Sequence, residues 1–70
     1  NMRIVMSDQY RVPAVVLNGD ESPDDVIEKC RHSEAIFEEE PGEETFVVQF
    51  EDRPIELYTE EALRRSLPES

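Results

Sequence analysis

The apolar residues of this chain are gathered into three short segments, and this grouping constrains the fold more than any other feature. Residues 12–17, 46–50 and 55–58 are dense in β-branched, aromatic and leucine side chains, the types that favour strands. A chain of 70 residues buries only about 60% of the surface that its unfolded form exposes. The three segments must therefore share one thin core, which predicts a single small domain.

Charge opposes folding in this chain. Eighteen acidic residues face seven basic ones, and the formal net charge is −11. High net charge with few apolar residues is typical of disordered chains, and repulsion among carboxylates lowers stability most at low ionic strength. Because the apolar residues are clustered, the sequence favours a folded domain of modest stability.

The first third of the chain predicts two strands. Residues 3–6 and 12–17 have strand composition, and residues 8–10 lie between them as a turn. Pro13 has no backbone N–H to donate to a sheet. The second strand should therefore be an edge at Pro13, or begin after it.

The clearest local signal is the start of a helix at Ser22. Serine suits the N-cap, Pro23 suits the first helical position, and Asp24 and Asp25 favour the positive end of the helix dipole. Three apolar residues then fall on one helical face, namely Val26, Ile27 and Cys30. The sequence therefore predicts a helix beginning at residue 23.

Residues 34–40 admit two interpretations. The helix could continue to about residue 39, or these residues could form a strand that turns at Pro41-Gly42 into a strand at residues 45–51. The strand is favoured because it has both a turn and a partner. A further strand at residues 54–58 leads to Thr59, which caps a last helix over residues 60–67, with Ala62, Leu63 and Leu67 docking on the sheet.

These elements define an α+β fold of order ββαβββα. We expect an antiparallel sheet with one main helix and a short C-terminal helix, in a single domain over residues 2–67 with a frayed tail at residues 68–70. A small sheet has exposed edges, so a homodimer formed through a sheet edge is a further expectation, although the net charge opposes it.

The sequence offers no set of residues for catalysis or metal binding. Cys30 and His32 are two positions apart, which places them on nearly opposite sides of a helix, and together they supply only two of the four ligands that zinc needs. Residues 20–25 lack the spacing of a calcium loop, and no glycine-rich phosphate loop is present. We therefore predict a non-enzyme with no cofactor and no metal.

Composition also predicts location and partner class. One cysteine fits a reducing compartment, and the longest uncharged run, residues 12–19, is far shorter than the roughly 18 residues that span a bilayer. We therefore expect a cytoplasmic protein without membrane contact. The absence of a basic face excludes direct binding of nucleic acid, so the expected partner is a basic protein.

Two acidic clusters are the candidate partner-binding residues. Along a strand, Glu38 and Glu40 would lie roughly 6.8 Å apart, a spacing of the same order as successive phosphates. This pattern predicts a nucleic-acid mimic or inhibitor of a DNA- or RNA-binding protein, by analogy with small acidic phage and mobile-element products. The candidate residues are Glu38, Glu39, Glu40, Glu43 and Glu44, together with Asp20, Glu21, Asp24 and Asp25.

The acidity is also compatible with roles that involve no mimicry. The acidic face could bind one particular basic partner without imitating nucleic acid, as a small adaptor, an antitoxin-like protein or a regulatory protein–protein interaction module would. The carboxylates could also serve only solubility or adaptation to high salt.

Overall fold

A computed structural model of the chain describes residues 2–68. Within them the order ββαβββα and the α+β class are confirmed. The predicted frayed tail falls largely on residues 69 and 70, which lie outside the described residues. The elements are β1 (Arg3–Met6), β2 (Pro13–Leu17), α1 (Pro23–Ser33), β3 (Ile36–Glu38), β4 (Glu44–Phe50), β5 (Glu56–Tyr58) and α2 (Glu60–Ser66).

The sheet is mixed, which corrects the expectation of a wholly antiparallel one. β1 pairs antiparallel with β2, and β4 pairs antiparallel with both β3 and β5. β2 and β4, however, run parallel, with Val15 opposite Val48 and Leu17 opposite Phe50. The reason is the connection: α1 lies between these strands in the chain, and a helical crossover returns the chain to the end from which β2 started.

β4 is the central strand of the fold. Phe46 is paired with residues of both β3 and β5, while Val48 is paired with residues of both β2 and β5. Because a strand has only two edges, β2 and β3 must share one edge of β4, and β5 occupies the other. β2 pairs with β4 only from Val15 onward. Pro13 is the first residue of β2 and is paired with Met6 of β1 but not with β4.

Both faces of β4 are covered. The consecutive residues Phe46 and Val47 have no exposed surface, and consecutive strand residues point to opposite faces. The predicted face of α1 is confirmed, since Val26, Ile27 and Cys30 are all buried. The remaining buried apolar residues are Ala14, Val15, Val16, Leu17, Ala35, Val48, Leu63 and Leu67.

The helix ends are set by local chemistry. α1 begins as predicted, with Ser22 at the N-cap and Pro23 next, although the Ser22 side chain makes no capping hydrogen bond. It ends at Ser33, and the C-cap residue Glu34 adopts a left-handed conformation with φ of 61°. In α2 the predicted cap is confirmed, because the Thr59 hydroxyl accepts a hydrogen bond of 3.1 Å from the Ala62 N–H. No helix within residues 2–68 is long and apolar enough to span a membrane.

Candidate partner-binding surface

The first candidate cluster surrounds the connection between β3 and β4. We call its five glutamates, Glu38, Glu39, Glu40, Glu43 and Glu44, the acidic tip. All five are exposed. The connection is closed by a hydrogen bond of 2.9 Å from the Glu43 N–H to the Glu40 carbonyl, and Gly42 has φ of 82°, a value that glycine adopts without strain.

The strand interpretation of residues 34–40 is confirmed, but the strand is too short to hold both Glu38 and Glu40. β3 ends at Glu38, and Glu40 lies in the bend that follows. The expectation that Glu38 and Glu40 share one strand face is therefore wrong, because the chain must leave the extended conformation to reach the turn at Pro41-Gly42.

The sheet instead places two carboxylates directly opposite each other. Glu38 is paired with Glu44 across the β3–β4 ladder. The Cβ atoms of such a pair lie about 5 Å apart, and like charges in these positions destabilise a sheet. The acidic tip thus contains a like-charge pair that the β3–β4 hairpin does not need for its folding.

One arginine relieves part of this repulsion. Arg31, in the last turn of α1, contacts Glu44 with both Nη2, at 3.0 Å from Oε1, and Nε, at 3.4 Å from Oε2. The guanidinium also lies 5.6 Å from the centre of the Phe46 ring. The hydrogen bonds and charge of Glu44 raise the pKa of Arg31. Within residues 2–68, the other four glutamates of the tip have no basic side chain as an ion-pair partner.

The second candidate cluster, at the start of α1, already serves the fold. Glu21 is half-buried and accepts hydrogen bonds of 2.9 Å from the N–H groups of Asn18 and Gly19. Burial alone would raise its pKa, but these hydrogen bonds outweigh burial and the pKa is lowered. Asp24 pairs with Arg64 of α2 at 2.8 Å. Only Asp20 and Asp25 in this cluster are exposed without such a contact in the described part of the chain.

The structure places the two clusters apart. Asp24 lies in the first turn of α1. Glu44 contacts Arg31, which lies in the last turn of α1. A helix of 11 residues is about 16 Å long, so the nine candidate residues form two groups. Glu60 of α2 lies between them, 3.9 Å from Arg31 and 3.2 Å from Arg64.

Sequence reasoning missed the two bridging arginines. The four-residue spacing of Glu60 and Arg64 on α2 was a readable signal, because such pairs meet on a helix. The contacts of Arg31 with Glu44 and of Arg64 with Asp24 join residues 13 and 40 positions apart. No local pattern indicates contacts of that range.

The residues with catalytic potential are separated. Cys30 is buried, while His32 on the same helix is exposed. Burial, with a smaller effect from the charge of Glu44, raises the pKa of the Cys30 thiol to about 12, whereas a nucleophilic cysteine needs a lowered one. Among the described residues, no group of three or more histidine, cysteine, aspartate or glutamate side chains could hold a metal ion.

Comparison with known proteins adds no relative. No protein-family model, no curated protein and no solved structure matches this chain. Function must therefore be inferred from the surface chemistry of the chain itself.

Proposed function

We propose that this chain is a non-enzymatic acidic binding protein whose acidic tip engages a basic surface on a macromolecular partner. The partner class that fits best is a DNA- or RNA-binding protein, which the chain would inhibit by occupying its nucleic-acid site. The observation that carries the proposal is that four of the five exposed tip glutamates have no ion-pair partner within residues 2–68, and that one of the four, Glu38, lies opposite Glu44 in the sheet.

The like-charge pair supports a binding role because it conflicts with the fold. Local and global preferences agree in most of a natural sequence, and the exceptions concentrate at functional sites. Elsewhere in the described chain the arginines of α2 lie next to carboxylates, with Arg64 on Glu60 and Arg65 on Glu61. At the tip, Arg31 pairs with Glu44 and with none of the other four glutamates in the described residues.

The electrostatics predict how the partner is bound. A concentrated negative field attracts a basic surface over a long range, which raises the association rate and makes it fall with salt. The tip is a compact cluster and not a row of carboxylates. It therefore suits a basic pocket or groove of limited length better than a long nucleic-acid channel.

Capture of the partner tests the proposal. The chain is immobilised and exposed to lysate of its source organism, and bound proteins are eluted with salt and, separately, with duplex DNA. The test variant is Glu39→Lys/Glu40→Lys/Glu43→Lys, which spares both Glu44 and its contact with Arg31. The charge-matched control is Glu28→Lys/Glu51→Lys/Asp52→Lys, at exposed positions outside the tip. We expect the tip variant alone to lose the partner.

Each outcome has a defined meaning. Release of a nucleic-acid-binding protein by both salt and DNA supports inhibition by mimicry. A partner that is lost from the tip variant but resists DNA favours an adaptor or antitoxin-like role. Equal losses from both variants overturn the assignment to the tip. If no partner is captured and the chain folds only in molar salt, as judged by circular dichroism, the acidity serves salt adaptation instead.

A further inference from the structure

β1 ends the sheet and leaves its backbone open on one side. It pairs with β2, and no other strand in residues 2–68 pairs with it. The Ser7 N–H donates to the Val12 carbonyl at 2.9 Å, and bonded pairs alternate along an antiparallel ladder. The backbone groups of Arg3 and Val5 therefore point toward β2, whereas those of Ile4 and Met6 point away from the sheet.

The same strand carries the exposed apolar surface. Ile4 is 41% exposed and Met6 is 65% exposed, the two large hydrophobic residues that stand out in this way among the described residues. They are two positions apart and so lie on one face of the strand. A natural sheet usually protects such an edge with charge, proline or a bulge; β1 contains one charged residue, Arg3 at its start, and no proline, and its register with β2 is continuous.

Charge is also distributed unevenly along the chain. Residues 1–19 contain two arginines and one aspartate, which gives this segment a net charge of +1. Because the whole chain carries −11, residues 20–70 carry −12. The edge of β1 is thus the part of the sheet where a second copy of this acidic chain meets least repulsion. A basic partner strand, by contrast, would face Arg3 and Arg11.

We propose that β1 is a dimerisation edge that pairs antiparallel with β1 of a second copy of this chain. The register places Val5 on the two-fold axis. Ile4 then lies opposite Met6 of the second copy, and their outward backbone groups form reciprocal hydrogen bonds on both sides of the axis. Arg3 lies opposite the uncharged Ser7 of the second copy, so the register brings no two like charges into direct opposition.

The dimer has an electrostatic signature that differs from that of partner binding. An edge of four residues buries little surface, so the interface belongs to the small and weak class below about 1,200 Å². Each copy carries −11, and salt screens their repulsion. Dimerisation therefore strengthens with salt, whereas binding of a basic partner by the acidic tip weakens. The two proposals can fail independently.

Sedimentation velocity over a range of protein concentrations tests the dimer at about 0.1 M and about 1 M NaCl. We expect a species of twice the monomer mass that increases with both concentration and salt. Met6→Lys removes an apolar contact on each side of the axis and should weaken dimerisation by about tenfold or more. Ser66→Lys makes the same charge change on the exposed end of α2 and should leave it unchanged.

Amide hydrogen exchange identifies the edge directly. In the dimer, the N–H groups of Ile4 and Met6 should exchange more slowly as protein concentration rises, whereas that of Val5 is protected in the monomer as well. A chain that stays monomeric at high concentration in about 1 M salt overturns the proposal. So does a dimer in which Met6→Lys and Ser66→Lys behave alike and the amides of Ile4 and Met6 gain no protection.

Discussion

The two hairpins of the sheet have the same topology and opposite surface chemistry. The β1–β2 hairpin, residues 3–17, carries a net charge of +1 and exposes Ile4 and Met6. The β3–β4 hairpin, residues 36–50, contains five glutamates and no basic residue, a net charge of −5. Both are antiparallel and both join the central sheet. Strand pairing therefore tolerates a high charge when the side chains end in solvent, although directly opposed like charges such as Glu38 and Glu44 lower its stability.

The loops of the two hairpins show how this is achieved. In the first, Ser7 is buried, and its hydroxyl accepts a hydrogen bond of 3.0 Å from the Tyr10 N–H. In the second, the acidic tip keeps all its side chains exposed. The two hairpins are in contact through Tyr10 and Phe37, whose ring centres lie 5.2 Å apart. The first loop therefore buries part of its polar surface against the sheet, whereas the second leaves its carboxylates in solvent.

The largest expected effect on the free energy of unfolding comes from truncating Phe46 in the β3–β4 hairpin. Phe46 has no exposed surface and is paired with strands on both sides of β4. Phe46→Ala should lower the free energy of unfolding by about 3–5 kcal/mol, measured by urea denaturation. For a chain of this size such a loss approaches the whole stability, so we expect a largely unfolded variant.

A matched pair of substitutions sharpens the same comparison. Val47→Ala removes the same atoms from the buried β4 as Val5→Ala removes from the half-buried β1. Val5→Ala should lower the free energy of unfolding by about 1 kcal/mol. Val47→Ala should lower it clearly more, because a cavity remains in the core. Equal losses would show that β1 is as much a part of the core as β4.

The next expected effect is a loss of stability at alkaline pH, to which the Cys30 thiol contributes. Burial holds the pKa of this thiol at about 12 in the folded chain, against an ordinary value of 9.0. Above pH 9.0 the unfolded chain therefore loses a proton that the folded chain keeps, and the free energy of unfolding falls by up to about 1.4 kcal/mol per pH unit. The raised pKa of Tyr58, due to burial and then to Glu56, acts in the same direction.

Denaturation midpoints of the wild type and Cys30→Ala, measured from about pH 8 to about pH 11, isolate the thiol. The substitution lowers stability at all pH values by leaving a small cavity, so the slope against pH is the informative quantity. We expect a shallower decline in the variant. Identical slopes would show that Cys30 does not contribute to alkaline unfolding.

The smallest effect separates stability from binding. Glu38→Lys replaces the like-charge pair with Glu44 by an opposite-charge pair, which should raise the free energy of unfolding by about 0.2–1 kcal/mol. The same change removes a carboxylate from the acidic tip and should weaken capture of the partner. Glu51→Lys, at an exposed position after β4, is the charge-matched control. A variant that loses stability would contradict our interpretation of the Glu38–Glu44 pair.

Local signals in the sequence determined most of the secondary structure. The start of α1 follows Pro23 and the two aspartates after it, without a capping hydrogen bond from the Ser22 side chain, and the start of α2 follows the capping Thr59. The turn at Pro41 and Gly42, together with the partner strand that follows it, favoured a strand over a helix at residues 34–40. Each of these preferences acts within a few residues, so it is present in the chain before any tertiary contact forms.

Only the tertiary structure decided the direction of β4 relative to β2 and the partition of the acidic residues. The parallel pairing of Val15 with Val48 depends on the path of the chain through α1. The contacts of Arg31 with Glu44 and of Arg64 with Asp24 depend on how the helices pack beside the sheet. These are consequences of burying one shared core, and composition records how many carboxylates exist but not which of them an arginine will reach.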